Sequence, residues 1–203
     1  MVDFSLYLVA GARDTLTDDV AAAIRGGLTM VQLRFKDVDD RTFIDRATPV
    51  VGICREHHIP VIINDRIDIA LVLSADGVHL GVDDLPLEAA RRLAPSGFHI
   101  GYSPETDEQI RSAAERGATY LGIGPVYATT TKADAGSPLG LAEFRRRRLL
   151  TQLPVVGIGG IDATNARDVF VHGATGVAVS SAILGAVDIE SAAVDLRTAS
   201  KRT

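Results

Sequence analysis

Eight short apolar runs recur along the chain: Ser5–Ala10, Thr29–Leu33, Pro60–Ile63, Gly77–Leu80, His99–Tyr102, Tyr120–Gly122, Pro154–Ile158 and Gly176–Val179. None alternates cleanly between apolar and polar residues, which is the pattern of parallel strands covered on both faces. Between them lie longer stretches that predict helices: Asp18–Gly26, Asp40–His57, Ile67–Leu73, Leu87–Leu93, Asp107–Arg116, Leu141–Leu150, Ala163–His172, Ser181–Leu184 and Ile189–Ala199. In the second of these, Ile44, Ala47, Val51 and Cys54 recur at three- and four-residue spacing and share one face. Asp162 is placed to cap the seventh, because a carboxylate accepts the free N–H groups of a first turn. Strands alternating with helices predict an α/β fold, and eight such units predict a single (β/α)8 TIM barrel over residues 1–203. At about 25 residues per unit there is no room for a second domain. An open doubly wound sheet is the main rival.

Composition adds mostly exclusions. With 203 residues, 46% hydrophobic and 23% charged, the chain can bury a sizeable core and is not of the disordered class. The net charge of −5 speaks against a nucleic-acid partner. It leaves room for an anionic ligand, since a few Arg and Lys residues make a local positive pocket. The single cysteine, Cys54, excludes an internal disulfide and a cysteine metal cluster, and reads as a buried small hydrophobe. The opening Met1-Val2-Asp3-Phe4-Ser5 lacks the basic start of a signal peptide. The longest uncharged run, Gly173 to Val187, is too short and too rich in Gly and Ser to span a bilayer. A cytoplasmic protein with no membrane partner is the expectation, with assembly into a homo-oligomer left open. The run Arg145-Arg146-Arg147-Arg148 lies on a predicted helix and reads as a solvated face.

In a barrel of this kind chemistry sits where strands end. The second strand runs out through Gln32-Leu33-Arg34-Phe35-Lys36, and alternation sends Gln32, Arg34 and Lys36 to one side. Two cations and an amide there suit an anionic ligand carrying a polar ring; surface charges at a strand exit would look the same. Asn64 and Asp65 follow the third strand, and Asp83 and Asp84 follow the fourth. Either pair serves as a helix cap, whereas two carboxylates at neighbouring strand ends suit Mg²⁺ shared with a phosphate-bearing substrate. Gly122 to Lys132 is a polar loop whose Thr129, Thr130, Thr131 and Lys132 make either an ordinary loop or a phosphate clamp. The following Ala133 to Ser137 has the composition of a lid. Gly157-Ile158-Gly159-Gly160-Ile161 and Val179-Ser180-Ser181 end the last two strands, where barrels often hold a phosphate on backbone N–H groups.

The ordered set resembles the thiamine phosphate synthase family, also called thiamine-phosphate pyrophosphorylase, from Tyr7 to about Leu184. Gln32 to Lys36 looks like the family's Q-L-R-x-K, and Ile63-Asn64-Asp65-Arg66 matches its I-N-D-R. Asp76-Gly77-Val78-His79-Leu80-Gly81 with Asp84 matches D-G-V-H-L-G and its downstream Asp. Gly122 to Lys132 is similar to G-x-G-P-x-x-x-T-x-T-K, and Gly157 to Ile161 matches G-I-G-G-I. The resemblance implies a Mg²⁺-dependent transferase that joins hydroxymethylpyrimidine pyrophosphate to a thiazole phosphate. It implies that Gln32 meets the pyrimidine, and that Arg34, Lys36, Asn64, Ser103 and Lys132 hold the pyrophosphate. Asp65 and Asp84 would bind Mg²⁺. Thr129, Thr131, Gly160, Ser180 and Ser181 would bind the thiazole phosphate. Arg34, Lys36 and Lys132 would be the catalytic cations.

The chain departs from the family pattern at three places. Ala128 stands where Pro is frequent, Glu105 stands two residues after Ser103 where His is frequent, and Phe35 replaces a commonly polar residue while facing away from the site. His79 lies within a strand and reads as a structural or supporting residue rather than an acid or base. Two rivals remain: a thiazole tautomerase-like relative of the same fold, and a non-catalytic phosphate-binding regulatory protein. Both would keep Gly160 and Ser181 but have no use for the carboxylate pair together with the Thr129–Lys132 motif.

Overall fold

The computed structural model describes residues 2–129 and 136–200. All eight expected strands are present: β1 (Leu6–Ala10), β2 (Met30–Leu33), β3 (Val61–Asn64), β4 (Gly77–Leu80), β5 (His99–Tyr102), β6 (Tyr120–Ile123), β7 (Val155–Ile158) and β8 (Gly176–Val179). They pair in parallel and in chain order, and β8 closes on β1 with Ala178 opposite Tyr7. The helices among the described residues are α1 (Leu16–Arg25), α2 (Asp40–Glu56), α3 (Ile67–Val72), α4 (Leu87–Leu93), α5 (Asp107–Ser112), α6 (Gly140–Arg148), α7 (Ala166–Val171), α8 (Ser181–Leu184) and α9 (Ile189–Ala199). None is long and apolar enough to cross a membrane. The closed sheet excludes the open doubly wound alternative.

Strand parity builds two cores. On β1, Leu6, Leu8 and Ala10 face the helices; on β2, Val31 and Leu33 do the same. The opposite set, with Phe4, Tyr7, Met30, Ile62, Tyr120, Val156 and Ala178, fills the inside of the barrel. The outer core includes Phe144 of α6 and Cys54 of α2, both fully buried. Removing a side chain of that size from water is worth roughly 1.5–3 kcal/mol, so the helices are held mainly by their buried faces.

At the N-terminal face the odd strands are tied to their successors by a repeated device. The first N–H of β1 donates to Thr29 Oγ1 (3.0 Å), that of β3 to Asp76 Oδ2 (2.8 Å) and that of β7 to Thr175 Oγ1 (3.2 Å), while on β5 it is the second N–H, that of Ile100, that donates to Thr119 Oγ1 (3.0 Å). Each acceptor is the residue just before the next strand.

Three local expectations change. α5 ends at Ser112 rather than Arg116, and the chain closes a turn there with Gly117 N–H on Ala114 O (3.1 Å). α7 begins at Ala166, not Ala163, because Asp162 spends its carboxylate on the Thr164 N–H (2.8 Å) and takes the Asn165 side chain on its own N–H (3.0 Å). Asp162 therefore organises a turn ahead of the helix instead of capping it. The arginine run is more than a solvated face: Arg146 pairs with Asp107 of α5 at 2.7 Å, and Arg148 donates to Gly173 O (3.0 Å) and Thr151 O (2.9 Å). α2 runs unbroken through Pro49, which is exposed, so the carbonyl left without an N–H partner faces water.

Candidate active site

The C-terminal mouth gathers the ends of β2 to β5 on one side. Past Leu33, Phe35 turns outward onto Phe43 of α2, with ring centroids 4.7 Å apart. Arg34 follows half-buried and Lys36 exposed on the other side of the strand. Gln32 lies deeper than either; it is 4% exposed, and its Nε2 donates to the Tyr7 hydroxyl at 2.8 Å.

β3 leaves the barrel through a tight turn. Asp65 adopts φ 63°, a left-handed conformation that Asp tolerates better than most residues. Its N–H donates to His79 O (2.8 Å), and Arg66 N–H donates to Asn64 O (2.7 Å). The Arg66 guanidinium straps this turn to Asp40 of α2 (2.7 Å) and Asp68 of α3 (2.6 Å). Asp84 in turn accepts the Gly81 N–H at 2.6 Å. Burial and the adjacent Asp84 carboxyl push Asp65 up to about 6, against the pull of Arg34 and Lys36. The described residues hold no cluster of three or more His, Cys, Asp or Glu side chains placed for a metal. Two abutting carboxyls with two cations nearby do fit a hard dication that draws its other ligands from phosphate oxygens and water.

Beneath the mouth a chain of hydrogen bonds crosses the barrel. Gln32 meets Tyr7, Tyr7 Oη meets Tyr120 Oη at 2.8 Å, Tyr120 Oη meets His79 Nδ1 at 3.1 Å, and His79 Nε2 meets Ser103 Oγ at 2.8 Å. A glycine makes the crossing possible, since a methyl group on Gly101 would overlap both His79 Nδ1 and the Tyr120 hydroxyl. Sequence reasoning singles out Gln32 and Ser103 at the two ends but not Tyr7, Tyr120 or Gly101 between them. The available signal is parity: a tyrosine inside a strand covered on both faces needs a partner for its hydroxyl. Glu105, by contrast, is exposed, and its N–H donates to Gln109 Oε1 (2.7 Å) beside the α5 cap.

The other side of the mouth is built by β6, β7 and β8. Val126 N–H donates to Ile158 O (2.8 Å) and Tyr127 N–H to Gly159 O (3.0 Å), so the segment after β6 runs along the exit of β7. Gly160 has φ 65°, and a methyl there would overlap Ala128 O and stand 2.8 Å from Tyr127 Cβ. Its first physical duty is this backbone contact, which holds half-buried Thr129 beside the β7 exit. Ser180 is half-buried at the start of α8 and Ser181 exposed. Thr131 and Lys132 lie outside the described residues.

Comparison with known proteins bears on this arrangement. The sequence profile of a family described as "Thiamine monophosphate synthase" matches residues 6–183. A thiamine-phosphate synthase of Albidiferax ferrireducens is 48% identical over 197 residues, covering 95% of this chain and 90% of its own. One of Methanospirillum hungatei is 48% identical over 202 residues, covering 94% and 95%. The solved structure of a thiamine phosphate pyrophosphorylase from Pyrococcus furiosus superposes with a TM-score of 0.89 at 36% identity, covering 98% of this chain and 96% of that one.

Proposed function

The chain belongs to the thiamine monophosphate synthase family, and from that premise we propose that it joins hydroxymethylpyrimidine pyrophosphate to a thiazole phosphate, forming thiamine phosphate and releasing pyrophosphate. The observation that carries this reading is the Asp65–Asp84 pair set beside Arg34 and Lys36. A dication joining the two carboxyls would turn their repulsion, for each other and for an incoming pyrophosphate, into attraction. Asp65 and Asp84 would hold Mg²⁺, which would supply positive charge against that of the pyrophosphate.

The chemistry follows from the charges. The thiazole nitrogen is a neutral nucleophile with no proton to lose, so no general base is required. The electron-rich aminopyrimidine stabilises positive charge on its methylene carbon as the C–O bond to pyrophosphate breaks. The nitrogen lone pair then forms the new C–N bond, and the bonding pair leaves with pyrophosphate. Arg34, Lys36 and Lys132 stabilise the negative charge that grows on the leaving group; fixed groups aimed at developing charge are worth about 3 kcal/mol each. Gln32 orients the pyrimidine, and Asn64 and Ser103 bind the pyrophosphate. Thr129, Thr131, Gly160, Ser180 and Ser181 hold the thiazole phosphate, and the two bound substrates gain from proximity. Purified protein given both substrates and Mg²⁺ should release pyrophosphate and thiamine phosphate in equal amounts. Absence of thiamine phosphate in that assay overturns the reading.

A further inference from the structure

In the hydrogen-bond chain from Gln32 to Ser103 each hydroxyl and the neutral imidazole has a single proton to donate, so the donors must all point the same way. Gln32 donates through Nε2 to Tyr7, so Tyr7 donates its one proton to Tyr120, and Tyr120 donates to His79 Nδ1. His79 is then the neutral Nε2–H tautomer and donates to Ser103 Oγ. Ser103 keeps its own O–H to give to a ligand oxygen. If the Gln32 amide turns over and presents Oε1 to Tyr7, every donor reverses. Ser103 must then donate to His79 and offers a ligand only a lone pair. The two ends of the chain therefore share one binary state, although they stand at the exits of β2 and β5.

We propose that Tyr7 and Tyr120 are positioning residues that couple the amide face Gln32 shows to the pyrimidine with the proton Ser103 shows to the pyrophosphate. This rests on the reading of Gln32 and Ser103 given above. The two tyrosines are 1% and 0% exposed, so their hydroxyls have no water to turn to. No buried side-chain nitrogen or oxygen among the described residues lacks a partner, so the chain is complete from end to end. The space it needs is reserved by Gly101, whose replacement by any larger residue collides with the His79–Tyr120 contact.

The test reads His79 by ¹⁵N NMR on the full chain without substrate, at a pH well above the ordinary imidazole range. Wild type should show the Nε2–H tautomer. Gln32→Glu places a carboxylate that only accepts at the far end, and should switch His79 to the Nδ1–H tautomer. Gln32→Glu combined with Tyr7→Phe should leave the wild-type tautomer in place, because the relay is cut. A Gln32→Glu spectrum still showing Nε2–H, or a switch that survives Tyr7→Phe, overturns the proposal. Should Gln32→Glu not fold, Tyr120→Phe decides by the same spectrum: with that hydroxyl gone nothing in the chain donates to His79 Nδ1, so His79 should show both tautomers, and a pure Nε2–H spectrum in a folded Tyr120→Phe protein overturns the proposal. The tautomer is read without substrates, so a protein that makes no thiamine phosphate would defeat the proposed function while leaving this test intact.

Discussion

Asp65 is half-buried with the carboxyl of Asp84 beside it, and burial and that neighbour raise it to about 6. An unfolded chain releases this proton near the ordinary Asp value of about 3.9. Between about pH 4 and 6 the folded protein therefore holds a proton that the unfolded chain has lost, so stability falls as pH rises through that window and stays lower above it. Because the group is partly solvated, the cost is about 1 kcal/mol rather than the full shift. Asp65→Asn removes it. The expected result at pH 8 is a Tm about 2–4 °C above wild type, a gap that closes near pH 4. The same variant should lose more than about tenfold in kcat/KM and need more Mg²⁺. Melts at both pH values with a Mg²⁺ titration check this; a lowered Tm with an unchanged Mg²⁺ curve would mean that Asp65 is only a turn residue. The carboxylate pair is legible in the sequence because both members follow strand ends. Their mutual repulsion is legible for the same reason, whereas the left-handed turn of Asp65 that brings it about is not.

The exits of β6 and β7 behave as one element. The sequence marks Gly159 and Gly160 as glycines at a phosphate site, and in the structure the same glycines admit the backbone of residues 125–128. Gly160→Ala would force the Tyr127–Ala128 segment away and shift Thr129 with it. We expect KM for the thiazole phosphate to rise more than about tenfold, KM for the pyrimidine substrate to change less, and stability to fall by about 1 kcal/mol from the positive φ. Steady-state kinetics in each substrate separately show the split; equal rises in both KM values would count against it. Strands were readable here within a residue or two because each is buried on both faces and carries a continuous apolar signal. Helix ends were less so: Asp162 has two uses for its carboxylate, and which one wins is decided by Thr164 and Asn165 together.

Across the whole molecule the two faces of the barrel do different work. Thr175→Val removes the acceptor for the Val155 N–H far from the mouth, and should lower stability by about 1–2 kcal/mol while leaving both KM values and kcat unchanged. A kinetic effect from that substitution would show the two faces to be coupled. The barrel itself was legible from the count of alternating units, and the resemblance supplied the residues of the mouth. The tie at the N-terminal face escaped notice because its members are three threonines and an aspartate that look like loop residues until the strands close. Their placement has a geometrical consequence. Ties fall between β1 and β2, β3 and β4, β5 and β6, and β7 and β8, so the lower rim has approximate fourfold symmetry about the barrel axis. The described residues of the upper rim do not repeat this way: carboxyls with Arg34 and Lys36 lie on one side, and the glycines of the β7 exit with Ser180 and Ser181 on the other. A ring that repeats by quarters below thus carries a mouth divided into two unlike halves.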